Sequence, residues 1–368
     1  MLKISKKFMS QAIRKSPADS RLYRYGALPN RLRYLLVSDP EADKSAAAVD
    51  VHAGSVGDPA SRPGLAHFCE HMLFMGTEGY PGEAEFFEYL KQHAGSHNAY
   101  TDLLHTNYFF DAANPAFLPA LDRFSHFFKT PLFSAGATSR EMKAVHSENA
   151  KNLQSDLWRS MQLFRSEANP DSPLCRFATG NLETLDFPST RDDLLEFHKK
   201  HYSANIMNLV LYSDRPLDEL EAAVTDHFAA VPDQDLPTPD CSKQPPAYDE
   251  RNLGYFYKVK PVLDRDQLKL VWILPRCLES ELDSKPHNYV SHLLGHEGPN
   301  SLLSALQQAG LAMELGSYAY HQIKAFTVVG ADIRLTAKGL AEYPRVLELV
   351  YSYLKQLREA GPQEWLFS

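Results

Sequence analysis

His67-Phe68-Cys69-Glu70-His71 is the most informative stretch of this 368-residue chain. Two imidazoles stand four residues apart, with a carboxylate between them. On a helix, positions 67, 70 and 71 share one face, because residues three and four apart are neighbours. Two neutral imidazoles can then ligate one metal ion while Glu70 stands beside a metal-bound water. This inverted H-x-x-E-H order is typical of zinc-dependent hydrolases.

The residues before and within this motif predict a strand, a loop and a helix. Residues 49–52 are predicted as the end of a strand. Residues 54–64 are predicted as a loop, because they are rich in Gly, Ser, Asp and Pro. The helix that follows has an apolar face formed by Leu65, Phe68 and Met72. That face can pack on a core and leave the two histidines and the glutamate on the other side.

A catalytic zinc needs a third protein ligand, and residues 139–149 offer candidates. Ser139 is predicted as the N-cap of a helix, with Glu141 in its first turn. Glu141 and Glu148 are seven residues apart, so both point the same way. One can bind metal while the other accepts the free N–H of a ligating histidine. The chemistry leaves Glu141, Glu148 and His146 open as the third ligand, and an exposed acidic helix face without metal is the alternative.

Several further stretches share residues with one known family. They extend along nearly the whole chain from about Lys15, at 67–77, 93–101, 105–111, 120–124, 141–149, 180–181, 295–299 and 361–365. Together they resemble the pitrilysin/insulinase family of zinc metallopeptidases. The similarity is to the N-terminal portion of its long, single-chain, insulysin-type members.

The resemblance implies roles for five residues. His67, His71 and Glu148 would bind one Zn²⁺ per chain, and the catalytic residues would be Glu70 as general base and Glu141 as supporting carboxylate. The implied activity is that of a zinc metalloendopeptidase, which hydrolyses peptide bonds in short to medium-size peptides. A metal-activated water attacks the peptide bond, and no covalent intermediate is needed.

The resemblance also implies how a peptide substrate would bind. An extended peptide would pair main chain to main chain with an exposed sheet edge at Asn98, Ala99 and Tyr100. Asn98 would hydrogen-bond the peptide backbone near the cleaved bond, the alternative being a structural asparagine in a turn. Tyr100 would line a side-chain pocket or belong to the core. A second site, at His296 and Gly298, would anchor the N-terminus of the substrate.

Composition excludes several other classes of protein. The net charge of −8 and the lack of a basic stripe oppose nucleic-acid binding. No apolar run is long enough for a membrane span, and no secretory signal is visible. The four cysteines are widely scattered, which favours a reducing compartment over a disulfide framework. We therefore expect the cytoplasm first and, because the first residues are mildly basic, the mitochondrion second.

The length leaves room for two domains joined by a connector. Residues 231–250 are rich in Pro and Asp, which is typical of a stiff linker. The predicted strands are 208–212, 255–260, 267–274 and 325–332, and the predicted helices are 217–230, 286–294, 302–308 and 339–359. This mixture predicts an α+β fold with domains at 1–240 and 241–368. The resemblance implies that 1–240 is the catalytic, zinc-binding domain. It also implies that each domain is an antiparallel sheet backed by helices, and that the second is incomplete.

Three interpretations follow, since the chain ends where a helix of the family should begin. The first is the N-terminal part of a longer zinc endopeptidase. The second is a zinc- and peptide-binding fragment or regulator without efficient catalysis. The third is one half of a two-chain peptidase. Besides peptide substrates, the expected partners are a missing C-terminal half or a second copy in a homodimer.

Overall fold

The computed structural model describes residues 13–241, 245–322 and 324–367. The chain divides into two compact units. Unit 1 comprises Met1–Leu153 with Arg176–Pro239, and unit 2 comprises Gln154–Cys175 with Asp240–Ser368. The later change of unit, between residues 239 and 240, falls within the Pro-rich segment. The assignment of 1–240 and 241–368 to a catalytic and a second domain stays a prediction.

The described residues form nine strands and thirteen α-helices. The strands are β1 (Leu22–Ala27), β2 (Arg33–Ser38), β3 (Lys44–Val51), β4 (Ser96–Thr101), β5 (Thr106–Ala113), β6 (Met207–Ser213), β7 (Gln267–Leu274), β8 (Ala312–Gln322) and β9 (Phe326–Leu335). The helices are α1 (Leu65–Leu73), α2 (Glu85–Gln92), α3 (Phe117–Ser125), α4 (Ala135–Asn152), α5 (Asp156–Ser166), α6 (Leu182–Leu185), α7 (Thr190–His201), α8 (Leu217–Phe228), α9 (Pro286–Leu294), α10 (Leu302–Gln308), α11 (Ala337–Ala341), α12 (Tyr343–Ala360) and α13 (Glu364–Phe367).

Unit 1 is built on a six-stranded sheet with the order β1-β2-β6-β3-β5-β4. Neighbouring strands are antiparallel, except that β2 and β6 are parallel. Strands β3, β5 and β6 alternate between buried and more exposed residues, as expected when one sheet face packs on a core. That core is rich in aromatic side chains, including Tyr108, Phe110, Phe117, Phe124 and Phe128. Strand β4 lies at one edge of the sheet, and within the described part of the chain it pairs only with β5.

Helix α1 packs on this core as the spacing of its apolar residues predicts. Leu65, Phe68 and Met72 are fully buried or nearly so. Because the helix presents these side chains to the core, positions 67 and 71 lie on a more accessible side and are only partly buried. The packed face therefore fixes where the two histidines point.

Helix α4 begins earlier than the sequence predicts. It starts at Ala135, and the side chain of Ser134 caps it by accepting a hydrogen bond from the Ala137 amide. The predicted N-cap at Ser139 is wrong, because residues 135–138 are already helical. Glu141 therefore lies in the second turn of α4 rather than the first, and α4 is long enough to carry Glu148 as well.

Unit 2 has an antiparallel three-stranded sheet with the order β7-β9-β8. Helices α10 and α12 contribute Leu306, Val346 and Val350 to a core that also contains Ile333 of β9. The predicted bounds of β7, α9 and α10 match the structure. The two sheets backed by helices confirm the α+β class. In the described residues no helix is both long and apolar enough to cross a bilayer.

Two predictions in unit 2 are wrong. Residues 255–260 do not form a strand, because all six are exposed and pair with no strand in the described part of the chain. Their aromatic and β-branched side chains favour a strand only where a sheet face is available to pack on. The predicted single helix 339–359 is two helices, since Pro344 in the first turn of α12 starts a new one.

Candidate metal centre

Three side chains from α1 and α4 converge on one point. Nε2 of His71 lies 3.4 Å from Oε2 of Glu148, and Nε2 of His67 lies 3.7 Å from the same oxygen. One ligand atom from each residue lies within 4.8 Å of the other two. Ligand atoms about 2.0–2.2 Å from a tetrahedral zinc are roughly 3.4 Å apart, so these spacings fit. No other group of three His, Cys, Asp or Glu residues within the described ranges meets the same criterion.

Both histidines make a hydrogen bond through Nδ1. Nδ1 of His67 lies 2.7 Å from the backbone oxygen of Thr179, and Nδ1 of His71 lies 3.2 Å from Oε2 of Glu141. Each Nδ1–H donates to an oxygen, so a neutral ring at either position carries its lone pair on Nε2, the atom nearest Glu148. Partners of this kind orient metal-ligating histidines and fix their tautomer. The donor set therefore fits a zinc ion with an open position for water.

Charge is concentrated around His71. Burial by itself would lower the pKa of His71, but hydrogen bonds to Glu141 and Glu148 outweigh it and raise the pKa to about 9. The hydrogen bond to His71 in turn lowers the pKa of Glu148. The carboxylates thus stabilise positive charge here, as a divalent cation also requires.

Glu70 is the most buried member of the site, with 7% of its surface exposed. Burial raises the pKa of its carboxyl, while the charge of His67 and a hydrogen bond from Thr101 oppose that rise. The Thr101 hydroxyl donates to Oε2 at 2.5 Å. A carboxylate whose pKa is raised, and whose orientation is fixed, suits a general base.

The predicted substrate residues of unit 1 lie on the edge strand β4. Asn98 and Tyr100 are exposed, with half of Tyr100 accessible, while Ala99 faces the core. Asn98 thus belongs to a strand rather than a turn, and Tyr100 is not a core residue. The next residue, Thr101, contacts Glu70, so this edge of the sheet runs directly to the candidate base.

Comparison with known proteins identifies the family. The model of the insulinase family, peptidase family M16, matches residues 33–171, and the model described as the peptidase M16 inactive domain matches residues 189–368. The chain belongs to the insulinase family.

Three similar proteins show how far this membership extends. The A-factor-processing enzyme of Saccharomyces cerevisiae is 43% identical over 360 residues, which is 96% of this chain and 35% of the yeast protein. The insulin-degrading enzyme of Homo sapiens is 40% identical over 96% of this chain and 35% of the human protein. The crystal structure of pitrilysin superposes with a TM-score of 0.87 at 34% identity, covering 97% of this chain and 38% of that one. This insulinase-family chain therefore spans about a third of the length of the relatives it matches.

The predicted anchoring residues lie in unit 2 of the insulinase-family chain. His296 and Gly298 belong to the loop between α9 and α10, and the backbone oxygen of Gly298 accepts a hydrogen bond from Ser301. The Ser301 side chain caps α10. The His296 ring lies so close that a Cβ at Gly298 would approach its Nε2 to 2.6 Å. The role of both residues in substrate anchoring stays a prediction.

Sequence reasoning missed two contributors to the insulinase-family site. Thr101 ends a stretch shared with the family, but no role was expected for it. Thr179 contributes only its backbone oxygen, and a backbone contact leaves no side-chain signal. The neighbouring pair Gly180-Asn181 was the one usable hint, because a glycine beside a candidate site often permits close backbone approach.

Proposed function

We propose that this chain is the zinc-binding part of a metalloendopeptidase that cleaves short to medium-size peptides, with one zinc ion per chain held by His67, His71 and Glu148. The observation that carries the proposal is the convergence of both Nε2 atoms on one oxygen of Glu148, at 3.4 and 3.7 Å. Membership of the insulinase family supports it.

The chain's own residues account for the proton transfers. When bound, zinc acts as a Lewis acid and lowers the pKa of a coordinated water toward neutrality. Glu70 stands on the same helix face as the two histidines and takes the proton of the attacking water. It then returns that proton to the amine that leaves. Glu141 holds His71 in the tautomer that presents Nε2.

The substrate would add to strand β4 as a further strand. β4 has one free edge, because in the six-stranded sheet it pairs only with β5. Main-chain hydrogen bonds to that edge bind a peptide with little dependence on its side chains. Asn98 and Tyr100 are exposed beside the edge, and Thr101 links it to Glu70. The peptide bond to be cleaved would thus lie next to the base.

A second candidate function is zinc and peptide binding without efficient turnover. It is favoured by the coverage, since about two thirds of each longer relative has no counterpart in this chain. The partner would then be the missing C-terminal half or a second copy of the chain. Location in the cytoplasm, with the mitochondrion as second choice, stays a prediction.

The test is hydrolysis of a quenched fluorescent peptide of about ten residues by the purified chain, beside Glu70→Gln, with zinc measured on both proteins. We expect zinc in both and cleavage only with the wild type, because glutamine cannot accept the proton. Equal cleavage by both proteins would contradict the role of Glu70. Zinc in both proteins with no cleavage by either would favour the second candidate function.

A further inference from the structure

Residues 179–182, which we call the bridge, contact both helices that carry the candidate zinc ligands. At one end, the Thr179 oxygen accepts the Nδ1–H of His67 in α1 at 2.7 Å. At the other, the Leu182 amide donates to Nδ1 of His146 in α4 at 3.5 Å. Four consecutive residues thus connect α1 to α4 beside the site. Glu148 lies two residues beyond His146 on α4.

The bridge approaches α1 through two glycines packed backbone to backbone. Gly64 and Gly180 are both buried, with φ angles of +92° and +84°. A Cβ at Gly64 would lie 2.3 Å from both the N and the Cα of Gly180. No side chain fits in that space, and L-residues rarely adopt such φ angles. The close approach therefore requires glycine at position 64, and the φ angle favours glycine at position 180.

The two glycines are held on both sides of their contact. The Asp58 carboxylate accepts a hydrogen bond from the Gly64 amide through one oxygen and from the Ala66 amide through the other, each at 2.7 Å. On the bridge side, Asn181 caps α6, which immediately follows. Since both backbones are anchored, the position of the Thr179 oxygen relative to α1 is fixed.

We propose that Gly64 and Gly180 are positioning residues of the zinc centre, which place the Thr179 oxygen against His67 and thereby select Nε2 as its metal-binding atom. A neutral imidazole carries its proton on one ring nitrogen, which donates a hydrogen bond. It can ligate a metal only through the other nitrogen. The hydrogen bond that His146 accepts from Leu182 fixes the far end of the bridge. This inference rests on the proposed role of His67 as a zinc ligand.

The first test needs no variant of the bridge. Long-range ¹H–¹⁵N NMR of histidine-labelled, zinc-free protein reports which ring nitrogen carries the proton, and His67→Gln identifies the signal. We expect the Nδ1–H form for the neutral His67 ring. The Nε2–H form would overturn the proposal, because the Thr179 oxygen would then have no donor.

The second test measures zinc affinity by competition with a chelator at fixed pH. Gly64→Ala forces the bridge and α1 apart, so zinc affinity should fall about 10- to 100-fold, as when other outer partners of a ligand are removed. Gly180→Ala should act in the same direction, since a φ of +84° strains any L-residue at this position of the bridge. The matched control is Gly254→Ala, where φ is +81° but no atom lies within 4 Å. A folded Gly64→Ala protein with wild-type zinc affinity would overturn the proposal.

A milder pair of variants applies if the glycine variants do not fold. His146→Ala removes the acceptor of the Leu182 amide and should weaken zinc binding by about twofold to tenfold, the effect of one lost hydrogen bond. His146→Asn replaces the acceptor with Oδ1 and should restore the affinity. Unchanged affinity in His146→Ala would overturn the role of the bridge. A wild-type chain that binds no zinc would refute the proposed function instead, while the NMR result would still decide the contact.

Discussion

His198 should make the stability of unit 1 depend on pH. Its ring is stacked on Tyr202 with centroids 4.6 Å apart and meets Phe133 edge-on at 5.7 Å. Nε2 is buried and has no hydrogen-bond partner among the described residues. Burial lowers the pKa of His198 to about 4, against a smaller opposing effect of a backbone hydrogen bond with Phe127. The folded state thus holds this imidazole neutral where the unfolded chain would protonate it.

Proton linkage gives the direction and the size of the change in the unfolding free energy of unit 1 with pH. Between pH 6.5, the ordinary imidazole pKa, and pH 4, the unfolded chain binds a proton that the folded chain does not. The free energy of unfolding is highest above pH 6.5, where the imidazole is neutral in both states, and it decreases as pH falls toward 4. The full interval corresponds to roughly 3 kcal/mol at about 1.36 kcal/mol per pH unit. Between pH 7 and pH 4.5 the loss should be about 2 kcal/mol.

The perturbation is His198→Phe, which keeps a ring between Tyr202 and Phe133 but cannot titrate. We would measure hydrogen exchange of strands β3 and β6 with EDTA present, because Trp158, Trp272 and Trp365 all lie in unit 2 and tryptophan fluorescence would not report unit 1. On going from pH 7 to pH 4.5, the wild type should lose protection relative to the variant by a factor of roughly 50.

Two comparisons separate the titration of His198 from other effects of pH. Comparing the two proteins at each pH cancels intrinsic exchange chemistry and the titration of all other groups. His292→Phe, at an exposed histidine, should leave the pH dependence of the wild type unchanged. A ratio between wild type and His198→Phe that stays constant with pH would show that His198 titrates normally, and the burial argument would then be wrong.

Three further predictions concern the site and the core. Thr101→Val should lower kcat about tenfold or more with zinc content unchanged, while Thr101→Ser keeps most activity, because a hydrogen bond to a charged group contributes about 1.5–3 kcal/mol; equal kcat values would contradict this. Glu141→Gln should weaken zinc binding about 10- to 100-fold in a chelator competition, since it no longer accepts from His71 as a carboxylate; wild-type affinity would count against it. Phe124→Ala should destabilise unit 1 by about 3–5 kcal/mol in hydrogen exchange, because the ring is fully buried, and a change below 1 kcal/mol would contradict the packing.

Much of the metal centre could be predicted from the sequence because it depends on helical spacing. Residues 67, 70 and 71 share a face on any helix, and the apolar positions of α1 indicate which face meets the core. The bounds of α9 and α10 were predictable for a related reason, since Pro286 and Ser301 mark their starts. Choosing Glu148 rather than Glu141 as the ligand required the family resemblance, as both point the same way.

Other features depend on contacts that spacing does not reveal. Ser134 caps α4 in place of Ser139, because either serine satisfies the local rule and tertiary packing selects between them. His198 stands beside two lysines in the sequence, yet its ring packs between Phe133 and Tyr202. The Thr179 oxygen reaches His67 across 112 positions of sequence. No short-range spacing in the sequence indicates these contacts, so only the folded structure shows them.

His67, His71 and Glu148 should together hold one zinc ion. Native mass spectrometry of the purified chain, after loading with zinc and removal of excess metal, tests it most directly when run beside Glu148→Gln. We expect one zinc per wild-type chain and none in the variant, because a neutral amide replaces the carboxylate on which both Nε2 atoms converge. One zinc retained in both proteins would contradict it.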